Sequence, residues 1–416
     1  APIKVRIVKG ANLSLERVES EVHGWPLAPY LSKAEVDANY IRLLDYILRE
    51  EYADAIRIGV ASHNLYTMGL AVELAEKRGV SRQIDAEMLA GMSPAQAKAV
   101  HDVVGRQILY TPVVHMKDFD VAVSYLVRRL EENAESQNFL YALFAPDEAS
   151  DKGKTPMQDQ KDRFYASVRD RWKTFAGQRR QQDRNNETGR QVPDTGRFIN
   201  EPDTDPALRA NREWALEALA SDPGEHGVKS VTETSEVDEA INTAVGLADD
   251  WAALSGAERC EVLNSVGDEL AKARGKLISV AAWEAGKAVD QTDPEISEAI
   301  DFATYYGQQA IALDRTQSVF TPNKLTVIVP PWNFPIAIPV GGITAALAAG
   351  SAVIIKPAPQ VVHCAKVAVD AVRAGLEAAG QNPDLVQLVN ADEGEAGKHL
   401  ISNEKTDAVV LTGASD

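Results

Sequence analysis

The sequence predicts an α/β chain of two domains: half of a (β/α)₈ barrel, followed by a second parallel sheet with covering helices. Three observations support this prediction. The 416 residues exceed the roughly 250 to 300 at which a single hydrophobic core stops growing. Short β-rich runs alternate with helical patterns in both halves, which indicates parallel strands joined by crossovers. A strongly polar stretch, poor in aliphatic residues, separates the two halves.

Four β-rich runs, each followed by an amphipathic helical stretch, occupy residues 1–146. The runs are KVRIVKG, DAIRIGVASHN, QIDAEMLAG and QILYTPVV, and the helical stretches begin at VDANY, LYTMG, SPAQA and FDVAV. A repeat of about 30 residues suits a (β/α)₈ barrel, of which four units are half. A doubly wound sheet is the alternative that the pattern leaves open.

A polar linker is predicted over residues 147–200, where basic, acidic and amide side chains are interleaved. We expect a solvated connector with one helix. The second domain, residues 201–416, opens with helical patterns and continues with the β-rich runs KLTVIVPP, SAVIIKP, LVQLVN and DAVVLTG. No G-x-G-x-x-G follows these runs, so we expect no dinucleotide bound in the usual Rossmann manner.

The apolar segment 334–355 has the length of a membrane span, but Pro335, Pro339 and several glycines interrupt it. We interpret it as a loop, a buried helix, a turn and a strand. The chain starts without Met and stops just after another apolar run. We therefore expect an internal piece of a longer protein.

Composition narrows the class of protein. Hydrophobic residues make up 45% and charged residues 25% of the chain, as in ordinary globular proteins. The net charge of -18 makes nucleic-acid binding unexpected. The two cysteines, Cys260 and Cys364, fall in helical patterns, where we expect packing residues rather than disulfides or nucleophiles. The seven histidines show no metal-ligand spacing, so no metal site is expected.

Candidate functional residues in the first half follow from the barrel itself, because its βα loops form the mouth at the carboxyl ends of the strands. This rule selects Lys9, Gly10, Ser62, His63, Asn64, Leu89 and Tyr110. On the last helix, Tyr125, Arg128 and Arg129 share a face at spacings of three and four. Neighbouring arginines suit a carboxylate clamp, since guanidinium groups bind carboxylates with paired hydrogen bonds.

Simpler explanations of these motifs remain open. The arginines of YLVRRLEEN can instead pair with Glu131, Glu132 and Glu135 on a surface helix. His63 can equally cap the helix that follows it.

The motifs RIVKGAN, HGWPLAPY, VDANY, GVASHN, LYTPV and YLVRRLEENAES stand in one order over residues 1–144. With them the first half resembles the C-terminal half of the proline dehydrogenase family. The resemblance implies oxidation of L-proline to pyrroline-5-carboxylate, with hydride transfer from C5 of proline to N5 of FAD. It implies flavin contacts for Arg6, Val8, Lys9, Gly10, Ala11, Ser62, His63 and Asn64, and proline contacts for Leu89, Tyr110, Tyr125, Arg128 and Arg129. Asn12 replaces an aromatic residue that many bifunctional members have.

Two landmarks stand out in the second half. Asn333 lies in a loop directly after the run KLTVIV, where an amide can donate a hydrogen bond to a developing oxyanion. Lys356 closes SAVIIK, where an ammonium group can meet a ribose hydroxyl or a phosphate. A turn asparagine and a surface lysine are the simpler alternatives.

The order P-W-N-F-P, K-P-A and L-T-G resembles the NAD-binding domain of the aldehyde dehydrogenase superfamily, and WEAGKAVDQTDPEISEAIDFATYYGQQA resembles the helical stretch before it. The resemblance implies that Asn333 stabilises the thiohemiacetal oxyanion. It implies cofactor contacts for Trp332, Lys356, Gly413 and Ala414. Pro359 stands where the family usually has a ribose-binding glutamate, and Ala414 where serine is common.

Both resemblances in this order are typical of the bifunctional proline utilisation A family. That family implies FAD, NAD, the substrates L-proline and pyrroline-5-carboxylate or glutamate semialdehyde, and glutamate as final product. It further implies a cytoplasmic homo-oligomer, peripheral to the inner membrane, with a quinone as electron acceptor. The alternatives are an aldehyde dehydrogenase with a degenerate barrel and a non-enzymatic acidic scaffold.

Overall fold

A computed structural model describes residues 2–10, 12–146, 153–191 and 197–413. The chain separates into two units. The first unit comprises Ala1–Glu19 and Leu27–Arg179, and the second comprises Ser20–Pro26 and Arg180–Asp416. The boundary at Arg179 therefore falls inside the stretch predicted as a linker.

The first half of the chain alternates strands and helices as predicted. Its elements are β1 (Ile3–Ile7), α1 (Leu13–Val22), α2 (Lys33–Ile47), β2 (Ile56–Ala61), α3 (Leu65–Lys77), β3 (Ile84–Leu89), α4 (Pro94–Val104), β4 (Gln107–Tyr110), α5 (Phe119–Ala134), α6 (Phe139–Phe144) and α7 (Pro156–Asp170). The four strands are parallel and lie in the order β1-β2-β3-β4. In a doubly wound sheet, the strand order would change direction at one strand instead of running in sequence from β1 to β4. The half-barrel prediction is confirmed, and the doubly wound alternative is wrong.

The two faces of this sheet differ because side chains alternate along a strand. Ile58 and Val60 of β2 are fully buried in a core that includes Leu44 of α2. The opposite face carries charged side chains from neighbouring strands. Asp85 of β3 pairs with Arg57 of β2 through two hydrogen bonds of 2.8 and 2.6 Å. Functional groups of the barrel therefore project from a charged inner face.

The predicted solvated linker is wrong for the described residues of that stretch. Helix α7 begins at a capping box formed by Thr155 and Gln158 and packs against α2 and α6. Phe164 and Val168 of α7 pack on the core of the first unit. The sequence pattern gave the single helix correctly. The polar composition of the stretch did not indicate that Phe164 and Val168 pack on the core, because these are only two side chains among many polar ones.

The second half contains α8 to α15 and six further strands. They are α8 (Arg209–Ala220), β5 (Ser230–Val231), α9 (Thr234–Ala252), α10 (Gly256–Lys272), α11 (Arg274–Ala285), α12 (Val289–Asp314), β6 (Leu325–Val329), α13 (Ala337–Ala348), β7 (Ala352–Ile355), α14 (Val362–Ala378), β8 (Val386–Leu388), β9 (Asn390–Ala391), α15 (Glu395–Ser402) and β10 (Ala408–Leu411). The main sheet is parallel with the order β10-β6-β7-β8, and β5 pairs with β9.

The apolar segment 334–355 forms a loop, the helix α13, a turn at Gly350 and the strand β7, as predicted. None of the helices within the described ranges is both long and apolar enough to cross a membrane. Helix α13 is 12 residues long, and its apolar character reflects burial in the core of the second unit.

Strand order in the second unit reverses at β6. Strands β7 and β8 follow on one side of β6, whereas β10 lies on the other side. In open parallel sheets, ligands bind at such a reversal, outside the carboxyl ends of the two diverging strands. The loop after β6 and the residues after β10 border this position.

A buried ionic network holds the polar residues around Arg184 and Thr204 within the second unit. Arg274 of α11 pairs with Asp293 of α12 at 2.9 Å, and both side chains are almost completely buried. Asp293 also accepts a hydrogen bond of 2.6 Å from the backbone N–H of Thr204. The buried Arg184 donates to the hydroxyl of Thr204 at 2.9 Å. This part of the predicted linker is therefore fixed by charge rather than by apolar packing.

Candidate active sites in the two units

The first unit holds a cavity of about 350 Å³ at the carboxyl ends of β1 to β4. Ten of the residues predicted from sequence line it: Arg6, Val8, Lys9, Ser62, His63, Asn64, Leu89, Tyr110, Tyr125 and Arg129. Gly10 and Arg128 are not among its lining residues, and Ala11 lies outside the described residues. Four parallel strands therefore bring together groups that are more than 100 positions apart in the chain.

Glu87 of β3 is a buried carboxylate in the lining of this cavity. Its side chain is 2% exposed and lies 2.7 Å from Nε of Arg6 and 2.9 Å from Nζ of Lys4. A Cβ atom on Gly59 would lie 2.1 Å from its Oε1, so a larger residue at that position of β2 would displace the carboxylate. The Arg6 guanidinium in turn lies 4.3 Å from the ring centroid of Tyr110. Glu87 thus fixes the position of a predicted flavin-contacting arginine.

Lys9 lies in a polar cluster beside α2 and α3. Its ammonium nitrogen is 3.1 Å from Asp37 and 3.2 Å from the hydroxyl of Thr67. Burial lowers the pKa of Lys9. Burial alone would raise the pKa of Asp37, but the Lys9 and Lys33 ammonium groups lower it below its ordinary value. The cluster holds Lys9 as a fixed donor at the end of β1.

His63 has one nitrogen fixed and one free within the described structure. Its Nε2 accepts a hydrogen bond of 3.0 Å from the backbone N–H of Leu89. Burial lowers its pKa, and because Nε2 is an acceptor, the ring proton is assigned to Nδ1. Nδ1 is buried and has no partner among the described residues. Asn64, rather than His63, caps α3, accepting from the N–H groups of Tyr66 and Thr67 at 3.0 and 3.2 Å.

Arg129 is the arginine of the predicted clamp that reaches the cavity. Its side chain is 13% exposed and lies 2.7 Å from Glu132, over the ring of Tyr125 at 5.4 Å. Its NH2 is 3.5 Å from Oδ1 of Asn12, a residue with a left-handed φ of 60°. Its Nε is buried without a hydrogen-bond partner in the described part of the chain. Arg128, by contrast, is exposed.

Sequence reasoning missed several polar residues of this cavity. They are Lys33, Glu87, Glu132, Asn133, Gln137, Asn138 and Gln160. Glu87 had a signal, because Asp85 and Glu87 alternate along a strand and face the basic residues of β1. The amide residues had no such signal. They come from α5, the segment between α5 and α6, and α7, which reach the mouth of the barrel only through long-range contacts.

We expect Glu87→Gln to lower the free energy of unfolding of the first unit by about 2 kcal/mol, because Arg6 and Lys4 lose their shared buried counter-charge. The measurement is urea unfolding followed by circular dichroism. Glu73→Gln is the matched control, since Glu73 pairs with Lys77 at 3.8 Å on an exposed helix face and such pairs contribute less than about 1 kcal/mol. Equal losses in the two variants would contradict the assignment.

In the second unit, the loop after β6 presents Trp332 and Asn333 to solvent. The Trp332 side chain is 54% exposed. The Asn333 side chain is exposed and makes no hydrogen bond to the described residues. An amide held in this state is free to donate to a ligand at the strand reversal.

Lys356 lies on the neighbouring strand end, directly after β7. It is only 9% exposed, so the surface-lysine alternative is wrong. No ion pair to it is found within the described ranges. A Cβ on Gly397 would lie 3.3 Å from its Cε and 2.2 Å from the backbone oxygen of Asp392, so glycine leaves room for this side chain. Gly413 follows β10 with a φ of 151°; Ala414 lies outside the described residues.

Both cysteines are packing residues, as predicted. Cys364 lies in α14 with 0% exposure, and burial together with Glu284 raises the pKa of its thiol. Cys260 lies in α10, where its Sγ would be 3.3 Å from a Cβ on Gly307. Within the described ranges, no group of three or more His, Cys, Asp or Glu side chains is arranged to hold a metal ion.

Comparisons with known proteins assign a family to each half. The Proline dehydrogenase family matches residues 1–142, and the Aldehyde dehydrogenase family matches residues 226–416. The solved structure of proline utilization A (PutA) from Corynebacterium freiburgense is 46% identical with a TM-score of 0.79, covering 98% of this chain and 38% of that chain.

Curated relatives agree with these matches. The bifunctional protein PutA of Escherichia coli (strain K12) is 27% identical over 457 residues, covering 100% of this chain and 33% of that protein. The 1-pyrroline-5-carboxylate dehydrogenase 2 of Bacillus subtilis (strain 168) is 30% identical over 201 residues, covering 46% of this chain and 38% of that protein. The chain thus spans about a third of the length of the curated PutA proteins it matches.

The two matched families depend in general on a flavin and on a nicotinamide nucleotide, and their substrates are small molecules. The alignments to PutA run through both matched regions. A barrel-type sheet comes first and a sheet with a strand reversal second, in agreement with the order of the family matches. The chain belongs to the family of bifunctional PutA proteins, in which a proline dehydrogenase region precedes an aldehyde dehydrogenase region.

Proposed function

We propose that the protein acts in proline catabolism: FAD-dependent oxidation of L-proline to pyrroline-5-carboxylate, then NAD-dependent oxidation of glutamate semialdehyde to glutamate. The observation that carries this proposal is the cavity of the first unit, whose lining includes Arg129, Arg6, Lys9 and His63. Such a lining suits a small carboxylate together with a polar cofactor ring.

The residues of the first unit divide between substrate and cofactor. Arg129 binds the carboxylate of proline, because its buried Nε has no partner in the described structure. Leu89, Tyr110 and Tyr125 are assigned to the pyrrolidine ring, and Arg128, which is exposed, is the second arginine of the predicted clamp.

FAD would be held by Arg6 and Lys9, whose cations are kept in place by Glu87 and Asp37, and by the neighbouring residue His63. The contacts assigned to it are Arg6, Val8, Lys9, Gly10, Ala11, Ser62, His63 and Asn64. When bound, the flavin accepts the hydride, and the protein holds the substrate in line with it.

The second unit suits NAD at the reversal between β6 and β10. The buried ammonium of Lys356 is available to the adenosine ribose. Trp332, Gly413 and Ala414 are the further residues that we assign to this cofactor. Asn333 donates its amide hydrogen to the oxyanion that develops on the aldehyde. Pro359 offers no carboxylate to the ribose. Discrimination between NAD and NADP would therefore depend more on Lys356 than in family members that have a glutamate at this position.

The test uses protein expressed from the complete coding sequence. We expect a yellow flavoprotein that is bleached by L-proline, transfers electrons to a quinone, and forms NADH from pyrroline-5-carboxylate. NADH formation by a colourless protein that ignores FAD would favour an aldehyde dehydrogenase with a degenerate barrel. Absence of both reactions would favour an acidic scaffold. Cell fractionation and light scattering test the proposed cytoplasmic location, inner-membrane association and homo-oligomer.

Arg129→Met should lower kcat/KM for L-proline by about 100-fold to 1000-fold, mostly through KM, because two charge-assisted hydrogen bonds are lost. FAD content should stay unchanged. Arg82→Met is the matched control, since Arg82 pairs with Asp54 on the surface. The same assay on Arg128→Met tests the second member of the clamp. An unchanged KM in Arg129→Met would remove Arg129 from the proline site.

A further inference from the structure

The loop that carries Asn333 is held at its far end by a side chain from another helix. Glu295 of α12 is buried, and its Oε1 accepts hydrogen bonds from the backbone N–H groups of Ile336 at 2.7 Å and Ala337 at 3.1 Å. These are the first N–H groups of α13, and no side chain of the loop caps them. Glu295 therefore satisfies donors that the helix itself leaves without partners.

The near end of the same loop is held by Lys287. Its ammonium nitrogen lies 2.5 Å from Oε2 of Glu295 and 3.3 Å from the backbone oxygen of Asn333. It also lies 4.6 Å from the ring centroid of Phe334. The Lys287 side chain is largely buried. One ion pair thus contacts the loop on both sides of Phe334.

The backbone and the side chain of Asn333 are therefore restrained differently. The backbone of Asn333 is fixed by Lys287, while its side chain remains exposed and without a partner in the described structure. Removal of Lys287 or of Glu295 would leave the remaining side chain without its counter-ion. It would also loosen the first turn of α13. Fixed backbone with a free amide is the arrangement that a preorganised oxyanion donor needs.

We propose that Lys287 and Glu295 are positioning residues for aldehyde oxidation, which fix the backbone of Asn333 so that its amide meets the oxyanion. They act through the loop and not by contact with the substrate. The role in catalysis rests on the proposed function of the second unit, whereas the restraint on the loop does not.

The restraint is tested on this chain by hydrogen–deuterium exchange of residues 333–340. We expect Glu295→Ala and Lys287→Met to raise exchange there by about tenfold or more, and Lys287→Arg to restore protection. Glu298→Ala is the matched control, because Glu298 is exposed on the same helix. Lys287→Met keeps the test usable where Glu295→Ala does not fold. Unchanged exchange in both variants would overturn the restraint.

The catalytic role is tested in protein from the complete coding sequence. We expect Lys287→Met to lower kcat for aldehyde oxidation about tenfold with little change in the Kd for NAD, and to have no further effect in an Asn333→Ala background. Additive losses would overturn positioning through Asn333. If Asn333→Ala itself leaves kcat unchanged, the proposed role of Asn333 fails and the exchange result still decides the restraint.

Discussion

Asn333→Ala is expected to lower kcat for NAD-dependent aldehyde oxidation by about 100-fold to 1000-fold, the usual cost of removing one oxyanion donor. The physical reason is the position of its amide at the carboxyl end of β6, exposed and without a partner in the described structure. Stopped-flow measurement of NADH formation, with protein from the complete coding sequence, gives the value.

The control is Asn323→Ala, since Asn323 is an exposed asparagine before the amino end of β6. The Kd for NAD should be unchanged in both variants, because oxyanion stabilisation belongs to the transition state rather than to cofactor binding. A loss confined to cofactor affinity would assign Asn333 to the cofactor instead.

Asp293→Ala is expected to lower the free energy of unfolding of the second unit by about 3 to 5 kcal/mol, because Arg274 is left buried without its counter-charge. The backbone N–H of Thr204 would also lose its acceptor. Guanidinium unfolding followed by tryptophan fluorescence reports on this unit, since Trp251 lies in its core. Asp249→Ala is the matched control, as Asp249 pairs with Lys324 at the surface. Similar losses in both variants would contradict the buried network.

The same network has a defined pH dependence. Burial alone would raise the pKa of Asp293, but Arg274 and Arg184 lower it below its ordinary value of 3.8. A carboxyl whose folded-state pKa is depressed contributes stability above its unfolded pKa, and that contribution is lost as pH falls through the folded pKa. Acid unfolding below about pH 4 should therefore be less steep in Asp293→Ala than in the unaltered protein.

Local patterns predicted most of the secondary structure of the two halves, but not α1 or α6. The four β-rich runs of the first half became β1 to β4, and the helical stretches became α2 to α5. The continuous helical pattern of residues 257–286 divides into α10 and α11 at Ala273. Periodicity continues across this short break, so the sequence pattern did not reveal it.

The strand-end rule selected residues that the fold brings together. Lys9, Ser62 and Leu89 line one cavity because parallel strands place their carboxyl ends together. It was incomplete for the clamp, since Arg129 reaches the cavity and Arg128 is exposed. Helix spacing alone does not say which neighbour faces inward.

The sequence by itself determined the βα alternation, the strand ends that carry the candidate residues, and the packing role of the cysteines. Tertiary structure alone decided the pairing of Arg6 with Glu87, 81 positions apart, and the hold of Glu295 on α13, 41 positions away. Periodicity and strand-end rules describe neighbours along the chain. The partner of a buried charge, however, depends on the tertiary structure. A charged side chain needs a counter-charge only where the fold removes it from water.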